Sequence, residues 1–203
     1  MTSTSGYSLW LSPSWDSSPF PALLDKLSSK HDTVPFKPHT TLVADSLTPQ
    51  ATLDEFVEMT KKGVQAWKIK KGASGGNGLN LTFYDVRQGD MFYQCVLAAL
   101  VRDVDLVDLH LTLRRAYGTH DKPDAPSYFP HMSLVYGDLT REKKDDIIRE
   151  MKDEGDFEEL EDLTEEGGRV KIKDLTGYKV DEILVVKTSG PTTEWDVLAR
   201  VPL

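Results

Sequence analysis

A chain of 203 residues with 39% apolar and 9% aromatic side chains can fold around one substantial core, or as two small lobes sharing one, and is not disordered. Its net charge of -9 argues against a long nucleic-acid track, where affinity comes from neutralising many phosphates, but leaves room for one small anion in a local pocket. The single cysteine, Cys95, can make neither an internal disulfide nor a zinc knuckle; it sits in the apolar run Gln94–Leu97 and reads as core, with a reducing compartment expected.

In chain order, the start lacks a basic region followed by a long apolar stretch, so no secretory signal is expected. Tyr7–Leu11 reads as a strand, and Phe20–Lys30, with leucines at 23, 24 and 27, as a helix. Phe36–Ala44 reads as a strand led in by Pro38. Thr48-Pro49 looks like a helix N-cap followed by proline, with helical spacing running to about Trp67. Residues 72–78 read as a flexible loop. Leu79–Val86 and Met91–Leu100 read as a hairpin turning at Arg87–Asp90. Val101–Tyr117 reads as a helix ended by Gly118, residues 119–128 as a loop, Phe129–Gly137 as a strand and Thr140–Lys152 as a charged helix. Asp153–Gly168 is acidic and glycine-punctuated and reads as solvated. Val170–Leu175, Glu182–Thr188 and Val197–Val201 close the chain as strands. No apolar run approaches about 18 residues, so no membrane span is expected.

An internal repeat organises these elements. Residues 36–48 read FKPHTTLVADSLT and residues 128–140 read YFPHMSLVYGDLT. Aligned without gaps, Pro, His, Leu, Val, Leu and Thr coincide, an aromatic begins both copies, and Thr41 matches Ser133. This reads as duplication, with 1–203 forming a single domain of two pseudo-symmetric lobes, each offering one His-x-Thr/Ser strand. Convergence on the common strand–turn–helix pattern would explain the apolar matches but not Pro-His-x-Thr/Ser.

Residues two apart in a strand share a face, so His39 and Thr41 point one way together, as do His131 and Ser133. A hydroxyl can donate to a non-bridging phosphate oxygen while an imidazole moves a proton, and two such units around one phosphorus supply both an acid and a base. His110 fits the short pattern, His110-Leu111-Thr112, but lies in a helical segment without a preceding proline. It reads as a helix-surface or half-buried residue outside the chemistry. His31 and His120 lie in loop sequence, His31 near a helix end, where a cation is mildly favourable.

With the two Pro-His-x-Thr/Ser segments, the opening YSLWLSP, the run FYQCVLAAL and the late VVKTSGPTTEW, the chain resembles the two-histidine phosphoesterase superfamily over nearly its whole length. Within it, the chain resembles the plant and fungal cyclic phosphodiesterases. The resemblance implies an α+β fold: bilobal and duplicated, with two antiparallel sheets flanking a central groove and helices outside. It implies metal-independent hydrolysis, without a cofactor, of 2′,3′-cyclic nucleotides to 2′-phosphates and of ADP-ribose 1″,2″-cyclic phosphate, a by-product of tRNA splicing. It makes His39 and His131 catalytic, with His131 the base and His39 the acid, and Thr41, Ser133 and Tyr136 phosphate ligands. Strict alternation would turn Tyr136 away from His131, so this last role needs a bulge or the end of the strand. Trp10 would face substrate or fill the core. Phe92, Tyr93 and Gln94 match a middle strand that would line the base side, while core packing suits most of that run. Plant relatives carry more cysteines, so redox control by disulfides does not transfer here.

A relative acting on RNA ends or 2′,5′ linkages could use the same motifs. A metal site is disfavoured, because neither motif brings a second His, Cys or carboxylate to its face. A binding module without catalysis would not need two proton-transfer groups. The expected protein is a monomer with a small cyclic phosphate as its partner, intracellular and cytoplasmic, with an organelle such as the Golgi of fungal relatives as the alternative.

Overall fold

The computed structural model describes residues 6–72, 78–121 and 128–203; residues 73–77 and 122–127, where the sequence reading places loops, lie outside the described residues. The fold is α+β. Four helices are α1 (Phe20–His31), α2 (Leu53–Lys71), α3 (Val104–Ala116) and α4 (Arg141–Asp153). The strands are β1 (Tyr7–Leu11), β2 (Thr40–Val43), β3 (Leu79–Gln88), β4 (Val96–Leu100), β5 (His131–Val135), β6 (Phe157–Glu159), β7 (Val170–Ile172), β8 (Gly177–Val180), β9 (Glu182–Lys187) and β10 (Asp196–Pro202).

Eight strands form one antiparallel sheet in the order β10-β9-β1-β2-β5-β4-β3-β8, and β6 and β7 form a separate pair. The two sheets expected from sequence are the halves of this larger one. They meet between β2 and β5 through a single registered pair, Thr40 opposite Met132. Alternation then sorts the side chains. Leu9 and Leu11 of β1 and Met132 and Leu134 of β5 enter the main core, where α1 packs on β5 and α4 on β3. Ser8, Trp10, His131 and Ser133 turn to the other face and line a groove along the seam.

Local signals set most helix ends. Thr52 and Glu55 cap α2 reciprocally, each side chain accepting the other's backbone N–H, and Asp103 and Thr140 cap α3 and α4. Helices α2 and α3 run antiparallel and close together. A Cβ on Gly63 would come within 2.8 Å of a Leu113 methyl, so glycine is what permits the approach.

Several expectations change. Thr48 is not a cap: its buried hydroxyl donates to the Tyr7 and Asp45 carbonyls, and the helix starts four residues later behind the stronger Thr52–Glu55 box. Residues 92–94 form a turn of 3₁₀ helix instead of extending β4, and β3 runs to Gln88. The segment 153–168 is not simply solvated. Within it Phe157 packs in the core, and the fully buried Asp156 lies 2.6 Å from both Lys26 and Lys173. Two lysines from separate elements make that carboxylate tolerable inside. The short strand β8, pairing with β3, carries no clear periodicity and was not expected. No described helix is long and apolar enough to cross a membrane. Cys95 is buried, and burial pushes its thiol pKa up, as suits a core residue.

Candidate active site

The seam between β2 and β5 assembles the two His-x-Thr/Ser units. Because the strands are antiparallel about the Thr40–Met132 pair, His39 falls beside Ser133 and Thr41 beside His131. All four line one groove of about 620 Å³, a size that suits a small ligand. His39 immediately precedes β2 and His131 begins β5, so both rings stand at strand ends, where the chain turns in from Pro38 and Pro130.

Both rings are held alike. His39 Nδ1 lies 2.6 Å from the Lys37 carbonyl and His131 Nδ1 lies 2.8 Å from the Phe129 carbonyl, each two residues back. A carbonyl can only accept, so each Nδ1 carries the hydrogen, leaving Nε2 of each neutral ring as a bare acceptor. The Tyr136 hydroxyl donates to His39 Nε2 at 3.4 Å.

Their surroundings differ. His39 is buried and stacks flat on Trp10, with ring centroids 3.5 Å apart at 7°. Burial pushes its pKa down to about 4; the Lys37 carbonyl opposes that, and the proximity of His131 adds to it. His131 is more open and stacks on Phe129 at 5.3 Å, and burial lowers its pKa as well, against the Phe129 carbonyl.

Ser133 Oγ donates to the Tyr93 carbonyl at 2.7 Å, so a phosphoryl oxygen would have to compete for that hydrogen. Tyr136 lies just past the end of β5, which frees its side chain from the alternation of that strand. Its hydroxyl is buried between His39 and Ser133, and burial raises its pKa well above the usual phenol range, with Ser133 opposing. The phenol therefore stays a neutral donor.

Trp10 both fills space, being 2% exposed, and lines the groove. Phe92 does not line it. The 3₁₀ turn sends Phe92 against the main core and gives the groove wall to Tyr93, whose ring stands 5.7 Å from that of Trp195. The sequence reading placed the run Phe92–Gln94 on the base side, and Tyr93 and Gln94 of it line the groove; it missed Trp195, although that residue lies in a segment it had noted. His110 is neither on the surface nor half-exposed. It is 1% exposed, bonds the Leu42 carbonyl through Nδ1 at 2.7 Å, and stacks on Tyr128 with centroids 4.0 Å apart in the groove wall. His31 ends α1 with its side chain nearly covered, 3.5 Å from Glu150.

Among the described residues no three His, Cys, Asp or Glu side chains gather as a metal site. A second cleft of about 450 Å³ lies beside Lys71, Asn80 and Lys179; of its acids, Asp105 pairs with Lys71 at 2.7 Å and Asp103 caps α3. Among the described residues, the seam groove combines two imidazole acceptors with neutral hydroxyl donors, the equipment for moving two protons around one anion.

A family model described as "Cyclic phosphodiesterase-like protein" matches residues 5–203. The chain is 26% identical over 223 aligned positions to a 2′,3′-cyclic-nucleotide 3′-phosphodiesterase of Kluyveromyces lactis, covering 97% of this chain and 98% of that protein. It is 27% identical over 139 residues to a cyclic phosphodiesterase of Arabidopsis thaliana, 68% of each chain. In fold it resembles E. coli LigT, solved in complex with NADP+, at a TM-score of 0.50 and 15% identity over 97% of this chain and 96% of that one.

Proposed function

The chain belongs to the cyclic phosphodiesterase-like family and is a phosphoric diester hydrolase; from that premise we propose that it opens 2′,3′-cyclic nucleotides to nucleoside 2′-phosphates, and ADP-ribose 1″,2″-cyclic phosphate to the 1″-phosphate, using His39 and His131 as an acid–base pair without a metal. One observation carries the reading: two imidazoles, each with its Nδ1 tied to backbone, leave their Nε2 atoms for one groove beside Thr41, Ser133 and Tyr136.

In the proposed step, His131 Nε2 takes a proton from water as the water oxygen bonds to phosphorus. The bond from phosphorus to the 3′ oxygen breaks, and the proton on His39 Nε2 passes to that oxygen. Thr41, Ser133 and Tyr136 donate to the phosphoryl oxygens as charge builds on them. Burial disfavours a charged His39, so the acid form has to be supported by what arrives. The anionic phosphate favours the imidazolium, and so does the face of Trp10 stacked against it. The Tyr93 and Trp195 rings at the groove wall suit the nucleobase.

The two halves read as pseudo-symmetric lobes, since β1-α1-β2 and β4-α3-β5 each place a helix before a histidine strand at the seam. A monomer acting on small phosphates, in the reducing intracellular setting that a single buried thiol suits, completes the reading and gives it a place beside tRNA splicing. The test is incubation of the pure protein with 2′,3′-cyclic nucleotides, ADP-ribose 1″,2″-cyclic phosphate and a 2′,5′-linked dinucleotide, in excess chelator, with product identification. Formation of 2′-phosphates from the cyclic substrates supports the reading. Turnover of the linear dinucleotide alone would replace it with a 2′,5′-phosphodiesterase.

A further inference from the structure

Just after β1 the chain runs Ser12-Pro13-Ser14-Trp15, outside any helix or strand, and folds against the segment leading to His39. Two side chains of this stretch converge on one atom. Ser12 Oγ lies 2.8 Å from the Pro38 carbonyl oxygen, and Trp15 Nε1 donates to the same oxygen at 3.2 Å. Ser12 Oγ also lies 3.0 Å from the Pro13 carbonyl; with one hydrogen to give, it favours the shorter contact. The Lys37 ammonium stands 5.8 Å over the Trp15 ring, and Trp15 packs on the same apolar cluster as Trp10.

The Pro38 carbonyl belongs to the peptide plane that carries the His39 nitrogen. Fixing its oxygen fixes that plane and hence the direction in which the His39 side chain leaves the backbone. His39 precedes β2, so no ladder bond of that strand does this work. On the other strand the Pro130 carbonyl accepts a backbone bond from Leu100 N at 2.9 Å.

We propose that Ser12 and Trp15 are positioning residues for His39: their two donors on the Pro38 carbonyl set the angle at which the ring presents Nε2 to the groove. Neither needs to touch the reacting atoms. The proposal rests on His39 being one of the two proton-transfer groups. A small angular error at such a group is felt in turnover and not in binding, because alignment matters most at the transition state.

The experiment compares the full chain with Trp15→Phe, Ser12→Ala, the double variant and Ser12→Thr. Trp15→Phe keeps an aromatic ring but removes the donor; Ser12→Thr keeps the hydroxyl. Two readouts are taken: kcat and KM on a 2′,3′-cyclic nucleotide, and the ring-nitrogen signals of both histidines by NMR in the ligand-free protein. The double variant is expected to lose about tenfold in kcat with KM little changed. Its His39 signals should depart from the fixed Nδ1–H form while those of His131 stay put, and Ser12→Thr should behave as wild type. Either single variant carries the same test if the double variant does not fold. Unchanged His39 signals together with unchanged kcat would overturn the proposal. So would a loss confined to KM, or an equal disturbance of both histidines. Absence of turnover in the wild-type protein would instead remove the functional reading, and the NMR comparison would still decide what holds His39.

Discussion

His39 and His131 carry the same motif and make the same Nδ1 bond to a carbonyl two residues back, yet they are seated by different means. The carbonyl before His131 is held by a backbone N–H of β4. That seat belongs to the sheet, and no single side chain can be deleted to remove it. The carbonyl before His39 is held by Ser12 and Trp15, and the ring lies flat on Trp10, so that seat is made of side chains. The two rings also differ in exposure: His39 is buried, whereas His131 stands more open beside Phe129, whose ring centroid lies 5.2 Å from the Arg87 guanidinium. Equal motifs therefore do not imply equal sensitivity to mutation. The half whose histidine is seated by side chains is the one that distant substitutions can detune.

The comparison breaks most sharply at the histidines themselves. His39→Ala and His131→Ala should each lower kcat/KM by about 10²–10⁴-fold, and the double variant should be little worse than either single one, because in the proposed step each ring performs half of one relay. A near-normal His131→Ala enzyme would show that the open seat is not catalytic. The next test separates the roles. A substrate with a much better leaving group at the 3′ oxygen needs little acid help, so it should restore much of the activity of His39→Ala and leave His131→Ala impaired. The opposite pattern would exchange acid and base while keeping the site.

Burial of His39 should also be visible in stability. Its pKa is about 4 in the folded protein and about 6.5 in an unfolded chain, so the unfolded state binds the extra proton between those values. Its contribution is fully present above pH 6.5 and is lost as pH falls towards 4, on the order of 3 kcal/mol over the full range. His39→Gln should flatten this limb in chemical denaturation measured across that range. An unchanged limb would mean that the buried ring is not what titrates. The smallest effect on turnover is expected at the third histidine. His110→Ala removes a buried ring stacked on Tyr128 and should cost roughly 2 kcal/mol in stability while leaving the cyclic phosphate reaction largely intact. Loss of turnover in a folded His110→Ala protein would assign that wall of the groove to the chemistry.

The repeat at 36–48 and 128–140 made both histidine strands legible before any coordinates, because Pro-His-x-Thr/Ser is a demand of chemistry and not of helix or strand formation. The helices were legible from leucine spacing, and α4 from its threonine cap. Less readable were features decided by distant partners. Thr48 has the look of a cap, but its hydroxyl is taken by Tyr7 and Asp45. Phe92 and Tyr93 are adjacent aromatics, and only the 3₁₀ turn at 92–94 decides which one reaches the groove. Asp156 sits in an acidic run that sequence alone leaves in water, until Lys26 and Lys173 arrive from elsewhere in the chain. Tyr136 needed the end of β5 to turn inward, and strand alternation could not supply that.

The order of strands in the sheet has a consequence for synthesis. The half bearing His131 is drawn from one continuous stretch, β3 through β8, and can begin to assemble as soon as that stretch leaves the ribosome. The half bearing His39 joins β1 and β2 to β9 and β10, which are made only after the whole of the other half. At ordinary translation rates the interval between the end of β2 and the start of β9 is roughly seven to thirty seconds. During that time the first two strands lack the neighbours that cover β1, and Trp10 lacks Leu184 and Val186. The nascent chain is thus an unfinished enzyme with an exposed apolar edge, and turnover can start only when β9 docks against β1.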